Sequence, residues 1–105
     1  MECQNEKMIL ISGDIFSLDV EIIGADVSVI SSVWISSERL SLNKKLTYNN
    51  GHWELYLPSE ETKSCPIGTA TFDITAEFID GNFQTAIYNG IIIVKKKINE
   101  VVKNE

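Results

Sequence analysis

Apolar and polar side chains alternate at every second position through much of this chain. The pattern is clearest where Phe72, Ile74, Ala76 and Phe78 interleave with Thr71, Asp73, Thr75 and Glu77. Phe16, Leu18, Val20 and Ile22 interleave with Ser17, Asp19 and Glu21 in the same way. Successive side chains of a strand point to opposite faces, so this period makes strands with one oily face and one wet face. Such a face must be covered. No segment carries a helical period over enough residues to cover it, which leaves sheet packed on sheet.

The other strands follow from the same reading. Lys7 to Ile11 is a short apolar run, expected as an edge strand and broken at Gly13-Asp14. Gly24-Ala25-Asp26 turns the chain into a strand over residues 29–36, rich in β-branched and aromatic residues. Residues 39–48, with Leu40, Leu42 and Leu46 spaced by polar residues, read as one further strand. Asn50-Gly51 marks a tight hairpin, because both residue types tolerate positive φ. Trp53, Leu55 and Leu57 then share one face, Glu54 and Tyr56 the other, and Pro58 ends the strand. Ser59-Glu60-Glu61-Thr62 suits a short helical turn, with serine able to cap and acids in the first turn. Asp80-Gly81 closes a second hairpin into residues 83–94, where Asn89-Gly90 marks a bulge. The sum is about seven strands without crossover helices, an all-β sandwich or small barrel rather than a parallel α/β fold. Residues 1–97 are expected to form the single domain, and 98–105 a tail or one helical turn.

Composition narrows the function. The 105 residues carry a formal net charge of −6, which repels phosphate backbones and disfavours nucleic acid as a partner. No apolar run is long enough for a helical membrane span, and the polar, acidic start lacks the form of a secretory signal. Lys95-Lys96-Lys97 follows Ile91-Ile92-Ile93-Val94 and is expected to shield an aggregation-prone strand end; a small anion or lipid contact is the alternative. Cys3 and Cys65 are far apart in sequence and are expected as free thiols, although their spacing leaves a disulfide open.

No reactive constellation stands out. His52 is the one histidine, so any Ser-His-Asp or Cys-His site would have to use it, and it sits beside a turn. The carboxylates of Asp14, Asp19, Glu21, Glu54, Asp73 and Glu77 mostly alternate with core residues, as on the solvated face of a sandwich. Asp80-Gly81-Asn82 offers too few oxygen ligands for calcium, and no glycine-rich phosphate loop is present. The expectation is a protein with no enzymatic activity, no metal and no cofactor. Trp53 shares the parity of Leu55 and Leu57 and is expected in the core. Trp34 has the opposite parity to Val33 and Ile35 and is balanced between core and contact residue. Tyr56 and Tyr88 are expected to face outward, and with Trp34 they are the candidate partner-contact residues.

The order of short signals resembles a family. Gly13-Asp14-Ile15-Phe16-Ser17-Leu18 is followed by Asn50-Gly51-His52-Trp53-Glu54-Leu55, then Glu61-Thr62 and Pro66-Ile67-Gly68. Phe72-Asp73-Ile74, Asp80-Gly81 and Asn89-Gly90-Ile91-Ile92-Ile93-Val94 complete it. This order is similar to small immunoglobulin-like β-sandwich domains of tailed bacteriophages, such as the N-terminal domain of the upper baseplate protein. The resemblance implies an immunoglobulin-like antiparallel sandwich and a virion or prophage structural component. Its partners would be other phage structural proteins or further copies of itself, in the virion or in the host cytoplasm during assembly. The baseplate protein continues into an oligomerising region, whereas this sequence ends at Glu105, so a small accessory or decorating protein is the form expected. The alternative from the residues is a carbohydrate- or peptide-binding sandwich module built on the two tryptophans.

Overall fold

A computed structural model describes residues 7–22 and 26–99. Among these, eight strands form: β1 (Lys7–Ile11), β2 (Phe16–Val20), β3 (Ile30–Ser37), β4 (Leu42–Lys45), β5 (Thr47–Asn49), β6 (His52–Leu57), β7 (Gly68–Phe78) and β8 (Phe83–Lys95). One short helix, α1 (Ser59–Lys63), and a 3-10 turn, Val27–Val29, lie in the connections. The strands make two sheets, a five-stranded one in the order β1-β8-β7-β3-β4 and a three-stranded one in the order β2-β6-β5. Their facing sides bury Val33, Ile35, Phe72, Ile74, Ile92 and Val94 against Val20, Trp53, Leu55 and Leu57. The fold is an all-β sandwich.

Two features depart from the sequence reading. Residues 39–48 do not make one strand. Leu42–Lys45 pairs with β3 in one sheet, and Thr47–Asn49 pairs with β6 in the other. Leu46 is the crossover: its side chain is buried in the core while its N–H donates to the Val33 carbonyl at 2.8 Å. Nor is the sandwich wholly antiparallel, because β1 runs parallel to β8, with Ile9 opposite Ile93. Parallel neighbours usually need a crossover helix, but these are the first and last strands described, and the rest of the domain is their connection.

The turns follow their residues. Asn50 and Gly51 both hold positive φ (49° and 87°) in a two-residue loop that sets Asn49 opposite His52. At Asp80-Gly81 the Gly81 N–H donates to the Phe78 carbonyl and the Phe78 N–H to the Asn82 carbonyl, a three-residue loop with Gly81 in the left-handed region. The expected bulge at Asn89 is present. Asn89 has φ 56°, the register between β7 and β8 slips there, and its N–H donates to the Asp73 carboxylate at 2.7 Å. A second slip, between Ile87 and Thr85, shifts the phase again.

Helix α1 forms where expected, but Ser59 does not cap it. Pro58 occupies the N-cap position without a side-chain bond. Instead Thr62, fully buried, ties α1 to the β1–β2 turn. Its hydroxyl donates to the Asp14 carbonyl at 2.6 Å, with the Ser59 carbonyl 3.1 Å away, and accepts from the Gly13 N–H at 3.1 Å. Lys44 clasps the two sheets at one edge, donating to the Tyr56 carbonyl and to Glu61 at 2.9 Å. The proposed turn at Gly24-Ala25 and the residues beyond Asn99 lie outside the described residues.

Candidate functional site

The three candidate contact residues do not converge. Tyr56 is 54% exposed and stands on the outer face of the three-stranded sheet, paired with Ser17. Trp34 and Tyr88 belong to the five-stranded sheet, on β3 and β8. Tyr88 is 61% exposed and sits in the bulge opposite Asp73. Trp34 is half-buried on the outer face, between Lys45 of β4 and Thr75 of β7. Its indole N–H donates to the Ser32 hydroxyl at 3.0 Å, and that hydroxyl donates to the Glu77 carboxylate at 2.9 Å. Val33 and Ile35, with the opposite parity, point into the core and are wholly buried.

Strand register assembles a second group on that outer face. Ile9 pairs with Ile93 across β1 and β8, and Phe83 pairs with Glu77 across β8 and β7. Ile9 and Phe83 are exposed, and Ile91 and Ile93 are half-buried. With Tyr88 they make an apolar stripe down β8. Strand β1 covers only residues 91–95 of β8, so the rest of that edge has no neighbouring strand among the described residues, and its two bulges blunt it against casual pairing. Phe83 was not singled out from the sequence. It shares its odd parity with Ile91 and Ile93 and returns to their face because the two slips in β8 cancel.

A groove of about 490 Å³ opens at the β4–β5 crossover, lined by Ile30, Ser31, Lys45, Leu46, Thr47, Tyr48 and Trp53. Trp53 is buried as expected, 6% exposed, with the Tyr48 ring tilted against it at a centroid distance of 4.9 Å. Its indole N–H has no hydrogen-bond partner. The Tyr48–Trp53 contact was legible in principle, because a two-residue Asn-Gly loop places the residues two before and two after it opposite one another.

The residues available for catalysis stand apart. His52 is exposed at the start of β6, and Cys65 follows α1 beyond the other end of that strand. Five residues of strand rise put roughly 17 Å between the two ends of β6. The Cys65 thiol donates to the Glu61 carbonyl at 3.6 Å, and burial, helped by the Glu61 charge, pushes its pKa up, the opposite of an activated nucleophile. Cys3 and any pairing with it lie outside the described residues. Among the described residues no three His, Cys, Asp or Glu side chains group to hold a metal ion, and no helix is long and apolar enough to cross a membrane. Of the lysine run, Lys97 binds the Asp14 carboxylate at 2.9 Å, beside the turn that Thr62 holds.

The two sheets, their strand order and the crossovers at Gly13-Asp14 and Leu46 define an immunoglobulin-like β-sandwich. Among solved structures the chain is similar to a fibronectin(III)-like module of Clostridium thermocellum CbhA. The TM-score is 0.56 and the identity 14%, over 90% of this chain and 92% of that one. No family model and no curated protein matches the sequence. The immunoglobulin-like part of the expected resemblance is thereby met, and the phage part rests on motif order alone.

Proposed function

We propose that this chain is a non-catalytic assembly module that works through contacts made by the outer face of its five-stranded sheet. The observation that carries the reading is the stripe of Ile9, Phe83, Tyr88, Ile91 and Ile93, of which the first three are more than half exposed. Large side chains gathered on one sheet face, with polar Thr69, Thr71 and Thr75 beside them, have the composition of a protein-contact surface. The partners we assign are further copies of this chain or other structural proteins of a phage particle, as the motif order implies. Sedimentation equilibrium up to millimolar protein, paired with capture on purified phage tail and capsid fractions, tests it. Self-association or capture that is lost in Ile9→Lys supports the reading. A protein that stays monomeric and is captured by neither fraction contradicts it.

A carbohydrate- or peptide-binding module is the second reading, favoured by the half-exposed Tyr48 ring beside the groove. The paired-tryptophan platform that first suggested it does not form. Trp53 is buried and Trp34 stands in the outer face of the other sheet. Quenching of tryptophan fluorescence by oligosaccharides, with Tyr48→Ala as control, separates this reading from assembly.

A further inference from the structure

Strand directions put the connections β2–β3, β5–β6 and β7–β8 at one end of the sandwich and β1–β2, β3–β4 and β6–β7 at the other. Each end shows bare hydrocarbon. At the first, Ile79 is 69% exposed in the β7–β8 loop, and its N–H donates to the carbonyl of exposed Val29 at 2.9 Å. At the second, Ile15, Ile67 and Ile98 are all more than half exposed. That end is well held, because Thr62 and Lys97 both fasten the β1–β2 turn beside Ile15. None of these side chains belongs to the stripe on the five-stranded sheet.

The ends differ in charge. Asp19, Glu21, Asp26, Glu54, Glu77 and Asp80 stand on or beside the connections of the first end, and residues 19–30, 46–54 and 77–84 hold no lysine or arginine. At the second end Arg39, Lys63, Lys95, Lys96 and Lys97 stand with Asp14, Glu38, Glu60 and Glu61. Two of those acids are already neutralised, Asp14 by Lys97 and Glu61 by Lys44.

We propose that copies of this chain associate head to tail, the acidic loop end of one docking on the lysine-bearing end of the next, with Val29 and Ile79 against Ile15, Ile67 and Ile98. This surface is separate from the sheet face proposed above and stands without it. Opposite charges around apolar centres make complementary halves, while two acidic ends repel one another. Because the halves are different patches, the contact is heterologous: each added copy leaves one end of each kind open, and copies add in a row. The end of a small sandwich offers little area, which places the contact in the weak, transient class.

Sedimentation of the full chain carrying Ile9→Lys, which disables the sheet face, reads the end contact alone. Species larger than a dimer should grow as protein approaches millimolar. Raising sodium chloride from about 20 to about 500 mM should weaken the association by about fivefold or more. In the same background, Glu21→Gln with Ile79→Ser spoils the acidic end, and Lys96→Gln with Ile98→Ser spoils the other. All four side chains are exposed, so the fold is kept. Each double variant alone should stay monomeric, and an equimolar mixture should form a pair that does not grow, since one sound end of each kind remains. Loss of all association in Ile9→Lys overturns the end contact and leaves the sheet-face reading standing. A closed dimer indifferent to salt also overturns it, as does a mixture of the two variants that stays monomeric. NMR shifts in the acidic loops caused by a lysine-rich peptide, but by no concentration of the protein, would assign that end to a basic partner and overturn contact between copies.

Discussion

The Phe72 ring packs against Gly90, its cross-strand partner, in the space a side chain there would need. A methyl group on Gly90 would overlap Phe72 Cε1 and sit 2.5 Å from Cζ. The missing side chain is therefore a packing requirement, set by the largest of the fully buried core side chains. Gly90→Ala should destabilise by about 1–3 kcal/mol through overpacking, read as a lower urea midpoint at constant slope. Adding Phe72→Leu should return part of that loss relative to Phe72→Leu alone, because the clash partner is gone. Simple additivity of the two changes would show that the ring does not set the constraint.

Thr62 joins α1 to the β1–β2 crossover through one buried hydroxyl. Thr62→Val keeps the volume but strands the Gly13 N–H and the Asp14 carbonyl, at a cost of about 1–3 kcal/mol. Thr62→Ser, which keeps the hydroxyl, should lose clearly less in the same denaturant titration.

Ser37 presents the opposite case. Its hydroxyl is buried with no partner, on the core-facing parity of Val33 and Ile35. Ser37→Ala removes a polar group that folding desolvates without compensation, so it should be neutral or stabilise by up to about 1 kcal/mol. A loss above that would mean the hydroxyl is satisfied.

Two titrating groups bend the pH profile in opposite senses. The Cys65 pKa is raised by burial and by Glu61. Its contribution is complete below the ordinary thiol value and is lost as pH climbs through the folded value, because only the unfolded chain ionises in between. Alkylation of Cys65 in the folded protein should accordingly be slower at neutral pH than in the urea-unfolded chain. Asp26 is held below the ordinary carboxylate value by hydrogen bonds from Ser28, first from its backbone N–H at 2.9 Å. Its small contribution is present above the ordinary value and is lost as pH falls through the lowered one. An NMR titration should find Asp26 among the more acidic aspartates.

Much of this fold could be read from single positions, and the failures share a cause. Strand β7 was legible because its two faces differ at every residue, and β6 because Trp53, Leu55 and Leu57 share a parity. Trp34 was undecided only for want of its neighbours. Val33 and Ile35 were inward-facing, as their chemistry said, and the indole found a polar chain through Ser32 to Glu77. Residues 39–48 could not be divided in advance, because the break at Leu46 depends on a bond to Val33, thirteen positions earlier. Strand β8 defeated a fixed period only between its two bulges, where one inserted residue reverses the phase after Thr85 and the next restores it by Gly90. Ser59 looked like a cap, yet Pro58 took the position and the tertiary bond went to Thr62. The candidate contact residues fared likewise. Exposure of Tyr56 and Tyr88 was legible from local polarity, but their separation onto two sheets depends on strand order, which no local pattern encodes.

An NMR concentration series from micromolar to millimolar, repeated with phage particle fractions added, goes most directly to whether contact is what this protein does. The account predicts shifts or broadening that grow with concentration or on adding particles and map to Ile9, Phe83, Tyr88, Ile91 and Ile93. Spectra unchanged under both conditions would contradict it, as would perturbations gathered at His52 and Cys65 instead.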